Sequence, residues 1–426
     1  MKRVLLRGPL LTQSGYGHHA RTVLRALRTR EDIFDIYVQA INWGSTSWLW
    51  QDDEERRWLD QALEKTINYV QDGGQFDLSL QVTIPNEWDK SAPINIGITA
   101  GIETTKVAPA WLEKASIVDK IITISEHSKD TYSNTTYTAK DQNSNQEFQL
   151  SCNTPMDVVS YPVRLFEPQV PELNLTTEFN FLSVLQLSPR KNLPGLVKAF
   201  VENFRDNEDV GLILKVNTAK NSRLDRVHTW NKIKMLINQL GEKKCKIYLL
   251  HGYMNDKELS GLYNHPKVKA LVTATHGEGF GLPLFEAASH GLPVIAPDWS
   301  GHLDFLYMPT STGKGKKKKN VLKPMFSRIS YTVQQVPKQA VWDGVIQADS
   351  HWAVPDEGSI KMTMDEIYRD YGRFKKRAGV LKGWVRKNFE ASKQYKEYVD
   401  SILSTPGLDT DDEIESLFEN IKSVGS

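Results

Sequence analysis

The chain has 426 residues, more than a typical domain of ~100–200 residues holds, so two domains, or three at most, are expected. With 40% hydrophobic and 25% charged residues, 27 glycines and 19 prolines, the composition is that of a folded globular protein and excludes collagen-like, low-complexity and wholly disordered chains. The 53 basic residues balance 52 acidic ones, and five of the lysines fall in one run, Lys314 and Lys316–Lys319, so a uniformly basic nucleic-acid-binding surface is excluded. The chain opens as MKRVLLRGPLLTQSGYG, where Arg7, Gly8 and Pro9 interrupt the apolar stretch before a signal peptide can form, and Val4–Leu6 reads as a first strand. No stretch approaches the ~18 consecutive apolar residues of a membrane span. Only two cysteines occur, Cys152 and Cys245, neither in a CxxC pair, which fits a reducing cytosol and leads to the expectation of a cytoplasmic protein.

Further strands are predicted at Asp35–Ala40, Phe76–Val82, Ile94–Thr99, Lys120–Ser125 and Val158–Tyr161, then at Phe179–Leu187, Val210–Val216, Cys245–His251, Val268–Thr275 and Pro293–Ala296. Segments with helical spacing separate them, and this alternation predicts α/β architecture with parallel sheets, occurring twice. Between the two series lies Tyr161-Pro-Val-Arg-Leu-Phe-Glu-Pro-Gln-Val-Pro171, whose prolines disfavour helix and central strand. A first domain is therefore expected over residues 1–165 and a second over 172–390. After Pro355 the chain turns helical and charged, and the tail, 391–426, is expected to pack back on the first domain. Two doubly wound domains facing one another put a ligand cleft at the carboxyl ends of both sheets. The lysine run between Lys314 and Lys319 reads as a solvated loop, or as a patch for a polyanionic acceptor or for an anionic surface giving peripheral membrane contact.

The most informative stretch is Thr275-His-Gly-Glu-Gly-Phe-Gly-Leu-Pro-Leu-Phe-Glu286, set between a strand and a helix. Glycines 277, 279 and 281 let the backbone turn sharply and approach a ligand, and amides at the helix start favour phosphate. Glu286 lies just over two helical turns beyond Glu278, so both carboxylates are able to face one cleft. With Gly291-Leu-Pro-Val-Ile295 behind it, this segment resembles the E-x7-E signature of family 4 retaining glycosyltransferases. The resemblance implies the GT-B fold, two Rossmann-like domains facing across an interdomain cleft, and transfer of a sugar from a nucleotide diphosphate sugar to an acceptor hydroxyl with retention and without a metal cofactor. It assigns Glu286 to the donor ribose, Glu278 to a place beside the transferred sugar, and Gly279, Phe280, Gly281 and Leu282 to the donor site. The acceptor implied is a glycan, a lipid-linked or a small-molecule one; no nucleic acid partner is expected. The alternative is a catalytically silent protein of the same fold that binds nucleotide or glycan as a scaffold.

In Phe181-Leu-Ser-Val-Leu-Gln-Leu-Ser-Pro-Arg-Lys-Asn192 two cations, Arg190 and Lys191, precede a helix, an arrangement suited to a diphosphate because point charge and helix dipole act on one anion. The segment resembles the family's phosphate-binding stretch. Lys191 matches its lysine, while Gln186 stands where an arginine is usual. His251-Gly-Tyr-Met254 resembles the turn that frames the nucleobase, with Gly252, Tyr253 and Met254 flanking the base. Asn217, ending the strand that holds Lys215, falls at the expected cleft rim. In the first half, the loop Thr12-Gln-Ser-Gly-Tyr-Gly-His-His19 resembles the family's first glycine-rich loop; Gly15 and Gly17 permit close backbone approach, and His19 is a candidate to orient a hydroxyl or phosphate. Glu103, after the Ile94–Thr99 strand, is a further cleft candidate. Ser300-Gly-His-Leu-Asp304 reads as structural. Asp409-Thr-Asp411 fits a metal-binding D-x-D pattern but lies in an acidic tail without strand context, and no His/Cys cluster has metal-ligand spacing, so no metal site is expected.

Overall fold

The structure is a computed structural model that describes residues 1–140, 145–312 and 319–408. Lys314–Lys318 of the lysine run and Asp409–Asp411 lie outside the described residues. In the first half the chain forms β1 (Lys2–Gly8), α1 (Gly15–Arg28), β2 (Phe34–Ala40), α2 (Glu54–Gln71), β3 (Leu78–Val82), β4 (Ile94–Thr99), α3 (Pro109–Ala115), β5 (Lys120–Thr123), α4 (Glu126–Asn134), the hairpin β6 (Thr136–Lys140) and β7 (Glu147–Ser151), and β8 (Met156–Val158). The second half forms β9 (Phe179–Gln186), α5 (Leu193–Phe204), β10 (Val210–Asn217), α6 (Arg223–Asn238), β11 (Lys246–Leu250), α7 (Asp256–Tyr263), β12 (Val268–Val272), α8 (Leu282–His290), β13 (Val294–Pro297) and α9 (Leu303–Leu306). It continues through the hairpin β14 (Tyr307–Thr312) and β15 (Lys319–Pro324), β16 (Ser327–Ile329), the hairpin β17 (Tyr331–Gln335) and β18 (His351–Pro355), and helices α10 (Glu357–Arg369), α11 (Tyr371–Asn388) and α12 (Ala391–Leu403).

Each half is built on a six-stranded parallel sheet, ordered β2-β1-β3-β4-β5-β8 in the first and β11-β10-β9-β12-β13-β16 in the second. The second order is that of the Rossmann fold and the first that of the other common doubly wound sheet. In both, the order reverses beside the first strand, so a ligand crevice is expected over the ends of β1 and β3 and over the ends of β9 and β12. The strands are nearly continuous apolar runs because helices cover both faces; Val4, Leu6, Leu78, Leu80, Ile96 and Ile98 are fully buried.

Three differences from the predicted elements have local causes. The strand expected at Val158–Tyr161 ends at Val158, since Val159 onward runs into the proline linker. The strand expected through Thr275 ends at Val272, and Thr273–Gly281 is loop. Ser125 leaves its strand to cap α4, its hydroxyl accepting from the Ser128 amide at 3.3 Å. The three hairpins and edge strand β16 were not anticipated.

Besides the linker and the contacts across the cleft, two segments of the second half stitch the halves together. Helix α11 packs on α8, the backbone of Phe389 pairs with Val163, and α12 then returns to α1, where Tyr398, Val399 and Ile402 complete the first core. The segment joining β17 to β18 inserts into the first half, with Val336, Val345, Ile346 and Trp352 packing against Trp88, Trp111 and Tyr132. The Lys106–Asp349 ion pair at 2.6 Å and the Thr105 amide to His351 carbonyl bond at 2.9 Å fasten its rim.

Candidate functional site

The chain leaves β9 through a short turn, Pro189–Lys191, after which Asn192 adopts a left-handed conformation and caps α5, its Oδ1 accepting from the Gly195 amide at 3.3 Å. This turn holds Arg190 and Lys191 side by side at the sheet's reversal point. Opposite them runs the loop from β12 to α8. Its Glu278 amide donates to Ser300 Oγ at 2.8 Å and its carbonyl accepts from the Gly301 amide at 2.9 Å, so the backbone on both sides of the side chain is fixed. Gly281, at φ 91°, then starts α8, a conformation in which a side chain would be strained.

The Glu278 carboxylate accepts from Lys191 Nζ at 2.6 and 2.7 Å and from Arg190 Nη1 at 3.2 Å, while Arg190 Nη2 meets Glu103 Oε1 at 3.1 Å. Arg190 Nη1 also donates to the Gly277 carbonyl at 2.5 Å. Two carboxylates and two cations from three separate loops thus interlock. Burial alone would push the Glu278 carboxyl up, but Lys191 and Arg190 outweigh it and hold it at about 2. The halves touch closely here: a Cβ on Gly279 would overlap the Ala100 carbonyl oxygen, and one on Gly277 the Glu103 carbonyl oxygen.

Above this array lies a cleft of about 900 Å³ between the halves. The first half contributes Gln13, Trp43–Thr46 and Glu103, and the second Val184–Lys191, Lys215–Asn217 and Gly252–Met254, with Gln339–Trp342 closing one side. Of the sequence candidates, Glu103, Arg190, Lys191, Asn217, Gly252, Tyr253 and Met254 therefore line one space, and Glu278 sits beneath it. Gln186 lines it too, its amide donating to the Thr218 carbonyl at 3.1 Å. Lys215 also points in, with Nζ bonded to the Gly252 carbonyl at 2.5 Å and burial pushing its ammonium down to about 8.

Glu286 lies on α8 against a separate small cavity of about 60 Å³ that it shares with His18, Arg164, Tyr263 and His290, and that meets the large cleft at Leu259. Tyr263 OH donates to Glu286 Oε2 at 2.8 Å, and burial pushes the carboxyl up to about 7 despite that bond. Asp304, expected to be structural, accepts from the Glu126 amide across the halves at 2.9 Å.

Several candidates stand elsewhere than expected. His19 is fully buried, with Nε2 3.0 Å from Tyr398 OH and its ring 5.1 Å from that of Tyr161; burial pushes it down to about 3, so it is a neutral link between α1 and α12, away from the cleft. Phe280 is packed in the core with rings of Tyr161, Phe285 and Phe305 about it at 5.0, 5.1 and 4.9 Å, because the loop's only large apolar side chain is drawn inward. Gly17 is a packing position, where a Cβ would overlap the Thr12 carbonyl oxygen, and Gly15 opens on solvent; it is Gln13 of that loop that reaches the cleft. Gly279, Gly281 and Leu282 shape the loop and helix start without lining the cleft. Sequence reasoning missed the loop after β2, whose Trp43, Trp48 and Trp50 were a legible signal. Its Gln51 donates to Tyr253 OH, Ser47 Oγ accepts from the Asn221 amide at 3.4 Å, and Asn221 Nδ2 donates to Gln13 at 2.9 Å. Among the described residues no group of three or more His, Cys, Asp or Glu could hold a metal ion, and no helix is long and apolar enough to cross a membrane.

Residues 166–309, which hold β9 to β13 and both cation-bearing and glutamate-bearing loops, match the family model of glycosyl transferases group 1. The chain is 33% identical over 126 residues to the serotype-specific mannosyltransferase WbdA of Escherichia coli, a stretch covering 28% of this chain and 13% of that protein. It is 32% identical over 131 residues to the probable sucrose-phosphate synthase 1 of Craterostigma plantagineum, covering 29% and 12%. In three dimensions it resembles HepE of Anabaena, solved in complex with UDP and glucose, with a TM-score of 0.59 at 12% identity over 95% of this chain and 100% of that one. Sucrose-phosphate synthase from Thermosynechococcus elongatus gives a TM-score of 0.59 at 13% identity over the whole of both chains. The architecture of two Rossmann-like domains is thus the GT-B fold.

Proposed function

We propose that the protein is a retaining, metal-independent glycosyltransferase that moves a sugar from a nucleotide diphosphate sugar to an acceptor hydroxyl in the cleft between its halves. The observation that carries this reading is the pair Arg190 and Lys191, set at the reversal point of a Rossmann-ordered sheet and flanked by the starts of α5 and α8. A doubly wound domain binds ligands at that point, and cations beside helix N-termini select a phosphate-bearing one. The family match over residues 166–309 covers this half, and HepE, of the same fold, holds UDP and glucose.

Breaking the anomeric bond leaves negative charge on the departing diphosphate. Arg190, Lys191 and the amides at the start of α8 stabilise it, with Lys215 supplying from the neighbouring strand the charge that Gln186 lacks. Glu278 keeps both cations in place and positions the transferred sugar; Glu286 receives the ribose hydroxyls. A double displacement needs a free carboxylate nucleophile close to a second one, ~5 Å away. Glu103 and Glu278 are both engaged by Arg190, which favours same-face substitution, with the departing phosphate oxygen taking the acceptor proton.

Incubation with UDP-, GDP- and ADP-sugars, scored for thermal stabilisation and for nucleotide release, tests the reading, with Glu286→Ala as control. One donor should stabilise the wild type but not the variant, and release nucleotide when a pool of glycan and lipid-linked acceptors is added. Binding without release under any acceptor would support the silent scaffold, a reading that Gln186 favours; absence of binding to every donor would overturn both.

A further inference from the structure

Helix α6 covers the edge of the second sheet, yet of its 16 residues only Thr229 and Ile233 are buried. At 100° per residue, these two define its inward direction, and the opposite side carries Leu224, Val227 and Met235, with the exposed Asn231 between Val227 and Met235. The three apolar side chains are 79%, 57% and 68% exposed, and Trp230, further round the helix beyond Val227 and bordering a cavity against Ile247 and Leu249, is 39% exposed. Cations flank this side, with Arg223 and Lys234 on the side of Trp230 and Lys232, beside His228, on the other. The helix has one carboxylate, Asp225, and it is turned away, bonded to His251 Nε2 at 2.8 Å and to the amides of Thr218 and Ala219 at 3.1 Å each. From Lys220 to Lys246 the chain holds eight lysines and arginines against two acidic residues, in a protein whose overall charge is +1.

A cluster of exposed aliphatic side chains on one helix, bordered by cations, is out of place on a surface that faces only water. Exposed aliphatic side chains that reach the acyl boundary, with cations among the headgroups, are a means of holding a protein at a lipid surface. We propose that α6 docks the protein on an anionic lipid surface. A second copy of the chain fits this face poorly, since a two-fold contact would set its cations against their own equivalents. Single-stranded nucleic acid would need stacking rings, and Trp230 is the helix's only aromatic side chain besides His228. Asn221, one residue before the cap of α6, lines the large cleft, so docking brings the cleft mouth to the lipid surface. On the transferase reading, and resting on it, this selects a lipid-linked acceptor among the three classes.

The test is co-sedimentation of the full chain, without donor, on vesicles of phosphatidylcholine alone or with about one-third phosphatidylglycerol, so its outcome is independent of whether transfer occurs. At about 0.1 M salt the protein should partition onto the anionic vesicles and not the neutral ones, and raising the salt should release it. Lys232→Ser with Lys234→Ser should weaken partitioning roughly tenfold or more. The triple variant Leu224→Ser, Val227→Ser and Met235→Ser should abolish it with little change in melting temperature, since all three are more than half exposed. Failure to bind anionic vesicles, undiminished binding by the triple variant, or binding lost only when Lys316–Lys319 are replaced would each overturn the proposal. So would a wild type that fails to bind vesicles and is dimeric where the triple variant is monomeric, which would make the face a contact between copies.

Discussion

Glu278 and Glu286 stand eight residues apart in one segment, the first buried and the second half-buried beside a small cavity, yet one is held at about 2 and the other is pushed up to about 7. Burial acts in the same direction on both. The difference is that two cations face Glu278 in the loop, whereas a tyrosine hydroxyl is the hydrogen-bond donor to Glu286 on the helix. Glu278 is a permanent charge that organises its neighbours, and Glu286 is poised to gain or lose a proton near neutrality. Shared burial therefore says little about a carboxylate's task; its partners decide.

The largest expected effect comes from erasing the contrast at its charged end. Glu278→Gln leaves Arg190 and Lys191 adjacent and facing a neutral amide, and breaking a buried pair in this way costs about 3–5 kcal/mol. Turnover should collapse with it. The carboxyl's fall from its ordinary 4.5 to about 2 means that its contribution is present above 4.5 and lost as pH drops through 2, so the variant's stability should be flatter than the wild type's across that acid window. Equal melting temperatures at neutral pH would remove the organising role. Next in size is Gly279→Ala, whose methyl group meets the Ala100 carbonyl and must part the halves, at roughly 1–3 kcal/mol. Thermal unfolding should show that loss, and small-angle scattering a larger particle.

Glu286→Gln sharpens the comparison from its neutral end. A carboxyl raised from 4.5 to about 7 keeps its proton in the fold while the unfolded chain has lost it, so stability falls as pH rises through that window, and the variant should lose this slope. Donor affinity in the wild type should increase between pH 6 and 8 as the carboxylate forms, and calorimetry on the variant should show a flat profile. The smallest effect is expected of Lys215→Met. One hydrogen bond to the Gly252 carbonyl is worth about 1 kcal/mol, so folding should barely change. If Lys215 serves the departing diphosphate, kcat should fall at constant acceptor KM.

Much of this contrast was legible before any coordinates. The glycines around Glu278, its spacing to Glu286 and the Arg190-Lys191 pair lie in local sequence, as do the Val- and Ile-rich strands that carry them. What could not be read was partnership across the chain. That Glu103 reaches Arg190 depends on the carboxyl ends of two sheets being brought face to face, and nothing near Glu103 encodes it. The loop context of Phe280 concealed that its ring fills the second core, and the histidine pair concealed that His19 is a buried strut while His18 borders the cavity of Glu286. The β17–β18 hairpin escaped notice because its strands are short and largely polar on β17, and it is held by tryptophans more than two hundred residues upstream.

That hairpin has a bearing on how the chain is made. Among the described residues, Val336, Val345, Ile346 and Trp352 complete the cluster of Trp88, Trp111 and Tyr132, and α12 with Leu408 completes the first core. At ribosomal rates of ~5–20 residues per second, the first half waits on the order of ten seconds or more after its own last strand for the segments that seal it. Until then those aromatic side chains stay uncovered, and the first core is completed by α12, the last described helix. A gene cut at the proline linker would accordingly yield an insoluble first product, although the break falls at the most natural seam in the sequence.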